Sequence, residues 1–108
     1  MPPRIIRSDP ANKDLEEIWD YLAVEASPEV ADRVISRIFD AMRRASKNPL
    51  LYRERREFRD HPRRINVFGY AIFYEPLPAE DGIFIWRVIH SRRDLPNYLG
   101  RPAMPDEH

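Results

Sequence analysis

Two punctuation signals divide the first half of the chain and constrain its fold more than any other feature. Ser8-Asp9-Pro10 and Ser27-Pro28-Glu29 each set a serine hydroxyl just ahead of a proline. A serine there accepts from the N–H groups that a helix start leaves unpaired, and proline has no N–H to lose in the first turn. Each signal predicts a helix. In the first helix Ala11, Leu15, Ile18, Trp19, Leu22 and Ala26 recur at offsets of three and four, which makes one apolar stripe. Asp14, Glu16, Glu17, Asp20 and Glu25 fall outside it. The second stripe is Ala31, Val34, Ile35, Ile38, Met42 and Ala45, with Arg33, Arg37, Asp40 and Arg44 opposite and Asn48-Pro49 as the stop. Two adjacent stripes of this kind predict a helical hairpin lying on something flat.

The flat partner is legible in the second half. Arg64 to Phe68, Ala71 to Glu75 and Ile83 to His90 are rich in β-branched and aromatic residues, and Arg4 to Arg7 reads as a first strand. Gly69 permits a tight or bulged link, and Leu77 to Gly82 reads as a hairpin loop, so these strands pair antiparallel. In the last strand Ile83, Ile85, Arg87 and Ile89 alternate with Phe84, Trp86, Val88 and His90. Both faces are apolar apart from Arg87, which suits a central strand covered by the helices on one side. Arg55 to Arg59 is read as an added edge strand, and the tail from Gly100, with Pro102 and Pro105, as disordered. The predicted fold is α+β, an N-terminal strand and an α-helical hairpin packed on a small antiparallel sheet. A chain of 108 residues has room for one such domain, placed at residues 1 to 99.

Several function classes fall away. Without cysteine there is no disulfide, thiolate metal site or cysteine nucleophile. Only three glycines exist, so no phosphate-cradling loop can form, and His61, His90 and His108 lack metal-ligand spacing. No cofactor is expected. The first residues carry no signal-like apolar run, and no stretch approaches the roughly 20 apolar residues of a membrane helix. A cytoplasmic protein without membrane contact is expected.

Net charge is zero, but the zero hides a segregation. Residues 9 to 32 hold eight acids against Lys13, whereas residues 33 to 64 hold eleven bases against four acids. Sixteen of the eighteen bases are arginine, which pairs bidentately with carboxylate or phosphate. Two clusters stand out. Arg87-Val88-Ile89-His90-Ser91-Arg92-Arg93-Asp94 carries a histidine and three arginines off a strand end, where they can converge on an anion. Its structural alternative pairs Asp94 with Arg92 or Arg93, caps a short helix through Leu95 to Leu99, and makes His90 a wall of the core. Arg53 to Arg64 holds six arginines, three acids and His61, and reads either as a charge-protected loop and edge strand or as a docking face for an acidic partner or phosphate backbone. Tyr70 and Tyr74 read as sheet packing rather than base-stacking platforms, and no sequence-specific nucleic-acid binding is expected.

Four segments in order, Asp14-Leu15-Glu16-Glu17-Ile18-Trp19-Asp20-Tyr21-Leu22, the Asn48-Pro49 stop, Gly69-Tyr70-Ala71-Ile72-Phe73-Tyr74 and the Arg87 to Asp94 run, resemble ParE toxins of the RelE/ParE superfamily. The resemblance implies the same helical hairpin on a small sheet. It also implies a type II toxin, held as a hetero-oligomer by a ParD-like antitoxin encoded beside it, whose extended segment orders on binding. The target implied for the ParE branch is DNA gyrase, poisoned by protein contact rather than by an enzymatic step of this chain. Arg64, Tyr74, Arg87, His90, Arg92, Arg93 and Asp94 are the candidate partner-binding residues, with Arg64 and Tyr74 as neighbours across the sheet.

The alternatives are a ribosome-dependent mRNA endonuclease, as in the RelE branch, and a non-toxic orphan binding module. For the nuclease the catalytic candidates are His90, Arg93 and Arg64, since Arg64 and Arg93 match its basic positions and Tyr98 lies close to its terminal tyrosine. The chain departs from that branch at Ala71, where an arginine is expected after Gly-Tyr, and at Pro62, where a lysine is expected.

Overall fold

A computed structural model describes residues 2–93, 95 and 99–105. Both serines act as helix caps. The Ser8 hydroxyl accepts from Ala11 N at 3.0 Å and opens α1 (Asp9–Glu25), and the Ser27 hydroxyl accepts from Val30 N at 3.1 Å and opens α2 (Pro28–Lys47). Acids in each first turn, Asp9 and Glu29, and bases in the last turn of α2, Arg44 and Lys47, complement the helix dipole. Asn48 caps α2, and Pro49 cannot continue it. The hairpin is tied across its two helices by Trp19 Nε1, which donates to Asp32 Oδ1 at 2.8 Å. Ala26 takes no part in the buried stripe: it ends α1, its N–H donating to Leu22 O at 2.8 Å.

The sheet contains β1 (Arg4–Arg7), β2 (Arg63–Val67), β3 (Tyr70–Pro76) and β4 (Gly82–His90) in the order β1-β4-β3-β2. The β2, β3 and β4 strands run antiparallel, as their short links require. The first strand joins β4 in parallel, so the sheet is mixed. Gly82 permits that junction: its φ is +128°, and a Cβ there would stand 2.1 Å from Arg4 O. Ser8 fixes the start of α1 to β4, donating through its backbone N–H to Ile85 O and through its hydroxyl to Trp86 O.

Strict alternation along β4 fails at one place. Tyr74 faces Ile85 and Phe73 faces Arg87, so Trp86 is one residue more than β3 supplies. Such a bulge reverses the parity of everything beyond it. Ile83, Ile85 and Val88 therefore pack beneath the helices, while Phe84, Trp86 and Ile89 pack on the other face.

That second face is covered from outside α1 and α2. Phe58, Leu77, Leu95, Leu99 and Met104 close over it. The edge strand expected at Arg55 to Arg59 is absent: the segment makes one bridge, Glu54 to Arg63, and then turns, with Asp60 and His61 at positive φ. Phe58 is the one large apolar residue in it, and it plants its ring edge-on against Phe73 at 5.2 Å. A run with a single buried side chain lacks the two-residue period that would hold a strand in register. Beyond Gly100, Met104 is buried against the sheet, and Arg101 reaches Glu75 and stacks over Phe84.

Candidate functional site

A groove of about 710 Å³ opens between the hairpin and the end of β3 and β4. Its walls come from Ile18 and Leu22 of α1, Val34 of α2, and Tyr70 and Val88 of the sheet. Tyr21 and Phe68 stand at the mouth, 62% and 59% exposed. His90, Arg92 and Arg93 supply cationic and titratable groups on one side, with Glu17 on the α1 side. The groove thus has an apolar floor, aromatic edges and two arginines at one end.

The turn from β2 to β3 shapes this mouth. Phe68 and Gly69 both have positive φ, 49° and 82°, the combination that a two-residue hairpin turn demands. Glycine adopts it without cost, but a phenylalanine there is strained, by about 1–2 kcal/mol. Gly69 also bolts the turn to the chain leaving β4, its carbonyl accepting from both Ser91 N and Ser91 Oγ at 2.8 Å. The His90 ring packs edge-on against Tyr70 at 5.3 Å, and its Nδ1 accepts from Arg92 N at 3.1 Å. Burial raises the Tyr70 phenol above its ordinary pKa, with the neighbouring Tyr21 adding to the effect.

Arg87 lies in the groove wall, and its guanidinium grips Asp14 with two hydrogen bonds, Nε to Oδ2 at 2.7 Å and Nη2 to Oδ1 at 2.8 Å. Val88 N donates to the same Oδ2 at 2.9 Å. Asp14, expected on the solvent side of α1, is buried as the anchor between that helix and the bulge of β4. The only arginine in an otherwise apolar strand thus has a structural partner 73 residues away.

The structure brings Arg87, His90, Arg92 and Arg93 together and separates two other candidates from them. Arg64 pairs with Phe73 in the sheet and lies over its ring, 5.7 Å from the centroid, on the face away from the helices. Desolvation, and then the charge of Arg55, lower its pKa from the ordinary value. Tyr74 is wholly buried in the helix-side core, donating its hydroxyl to Pro49 O at 2.8 Å, and burial pushes its pKa up to about 12. Its opposite number in β2 is Arg63. Asp94 and Tyr98 lie outside the described residues.

Sequence reasoning placed a partner along the sheet and the hairpin groove but missed Tyr21 and Phe68 as residues lining it. The one available signal was an aromatic residue at Tyr21, off the apolar stripe of its helix. Among the described residues no three His, Asp or Glu side chains gather as metal ligands, and no helix is long and apolar enough to cross a membrane.

A family model described as "ParE toxin of type II toxin-antitoxin system, parDE" matches residues 5–95. The chain belongs to the ParE toxin family. It is 30% identical over 99 residues to Toxin ParE1 of Mycobacterium tuberculosis, a match that covers 92% of this chain and 100% of the relative. Toxin ParE3 of Caulobacter vibrioides is 30% identical over 98 residues, covering 91% and 96% respectively. In three dimensions this ParE-family chain resembles one from a solved structure titled "Chromosomal ParDE TA system from P. aeruginosa". The TM-score is 0.69 over 82% of this chain and 96% of the other, and at 16% identity that likeness speaks for the fold. This is a ParE toxin of a type II toxin-antitoxin system.

Proposed function

We propose that this ParE-family toxin acts in the cytoplasm by stalling DNA gyrase through protein contact, and that a ParD-like antitoxin encoded beside it neutralises it by laying a segment along the groove. The groove itself carries the reading. Its apolar floor, the two exposed aromatics and the Arg92/Arg93 end suit an amphipathic polypeptide with acids at one end, which orders as it binds.

The local chemistry favours contact over catalysis. RNA cleavage by a 2′-hydroxyl needs a base, an acid and charge stabilisation. Asp14 is committed to Arg87 and the Val88 N–H, and one nitrogen of His90 is engaged by Arg92. Where the nuclease branch places basic side chains, this chain has Ala71 and Pro62, both buried.

The test is to incubate the purified, antitoxin-free toxin with gyrase, plasmid and ATP. Dose-dependent loss of supercoiling and trapped double-strand breaks, reversed by the antitoxin, are expected. A folded toxin that arrests growth without touching supercoiling sinks the reading, and His90→Ala then becomes the first substitution to examine for ribosome-dependent cleavage.

A further inference from the structure

We propose that Leu50 and Leu51, with the cations around them, form a second docking surface for an acidic protein surface that offers an apolar hollow. The inference rests on the reading above for the partner used as its probe. The two leucines are adjacent, 68% and 61% exposed, and follow directly on the end of α2. They stand far from the groove: from Val34, in its wall, to Lys47 the helix runs about 20 Å.

The pair is held out rather than left loose. On one side, Pro49 O accepts from the buried Tyr74 hydroxyl, and Leu51 N donates to Asn48 O at 3.1 Å. On the other, Tyr52 packs edge-on against Tyr74 at 6.4 Å, and its carbonyl accepts from Arg63 Nη1 at 2.5 Å. With both flanks fixed, neither leucine can fold back into the core, and little conformational freedom is left to lose when a partner covers them.

Charge selects the partner. Residues 43 to 59 carry seven basic side chains against Glu54 and Glu57. Among the described residues no carboxylate lies within ion-pair distance of Arg44, Lys47, Arg53 or Arg59. A phosphate backbone would satisfy the cations but would leave the leucines in water. An acidic protein surface satisfies both, the leucines giving affinity and the cations steering approach.

The experiment compares Leu50→Ser/Leu51→Ser and Arg44→Gln/Lys47→Gln/Arg53→Gln with wild type, measuring melting temperature, affinity for purified gyrase, affinity for a short DNA duplex alone, and growth arrest. All the altered side chains are exposed, so the melting temperature should hold in the serine variant and fall only slightly in the glutamine variant, which loses the two bases that complement the α2 dipole. Each variant should bind gyrase at least tenfold more weakly, and the glutamine variant should lose most of the salt dependence. Wild-type gyrase affinity in both variants overturns the proposal. So does a loss confined to the glutamine variant and reproduced on DNA alone, which would place a phosphate backbone there. If the wild-type toxin arrests growth without binding gyrase, the gyrase reading falls separately. The patch then stands if the serine variant loses growth arrest and falls if it keeps it.

Discussion

The two faces of the sheet bury similar residues by different means. Beneath the helices, Ile72, Ile83, Ile85 and Val88 meet the regular stripes of α1 and α2. On the opposite face, Phe73, Phe84 and Trp86 are just as buried, yet their cover is a loop anchored by Phe58 and three side chains from further along the chain, Leu95, Leu99 and Met104. A helix covers a face with side chains three and four apart, whereas a loop covers it with isolated anchors. The first kind of cover is cooperative along its length, and the second depends on a few points.

The sharpest way to break this contrast is at the buried carboxylate that links α1 to the sheet. Asp14→Ala removes two hydrogen bonds from Arg87 and the acceptor of Val88 N, and should cost about 3–5 kcal/mol in urea denaturation. A cost below that of an ordinary core truncation would mean that the hairpin is held by apolar contact alone.

Next come matched truncations of the two covers. Ile38→Ala, at a fully buried position of the α2 stripe, should cost about 2–5 kcal/mol, and Phe58→Ala about 3 kcal/mol, near the lower end for its size because a loop can collapse into the gap. Equal values per atom removed would erase the distinction between the covers, and a negligible cost at Phe58 would detach the loop from the core.

Alkaline unfolding probes the far end of the helix face. The Tyr74 phenol is pushed up to about 12 by burial, so the folded state keeps a proton that the unfolded chain releases near its ordinary value. Stability from this group is complete below about pH 10 and is lost as pH rises through 12, a change of at most about 2–3 kcal/mol. Tyr74→Phe should abolish that slope while costing about 1 kcal/mol for the bond to Pro49, readable in paired denaturation curves at pH 8 and 11.

The smallest effect has the opposite sign. Phe68→Asn relieves a left-handed backbone and should stabilise the fold by about 0.5–1 kcal/mol, while weakening antitoxin binding because an aromatic edge of the groove is gone. Tighter or unchanged antitoxin binding in this variant would remove Phe68 from the contact surface.

What was legible in the sequence follows the same division. Serine caps, helix stripes and the three short-linked strands are local patterns, and each appears within a residue or two of its expected bounds. The bulge at Trp86 is not local. It exists because Arg87 and Val88 N meet Asp14, a contact invisible without the fold, and it moves Val88 and Ile89 to faces that alternation had exchanged. For the same reason the strand-end cluster was found in sequence only in part: His90, Arg92 and Arg93 are contiguous, but the helix and turn residues opposite them come from distant segments. Tyr74 packs in the sheet as read, but its partner, the Pro49 carbonyl, was not legible, because a tyrosine in a strand reads alike whether its hydroxyl meets solvent or a buried carbonyl.

The parallel junction of β1 with β4 has a consequence for how the molecule is made. The first strand to leave the ribosome finds its neighbour only in the last, because β4 separates β1 from β3. A nascent chain that stops short of Gly82 has a helical hairpin with no complete surface to lie on, a capping serine without its strand, and a groove missing one wall. Assembly from the N-terminus onward is barred by topology, and long-range closure of this kind is slow. A toxin built this way becomes competent only once β4 has been made.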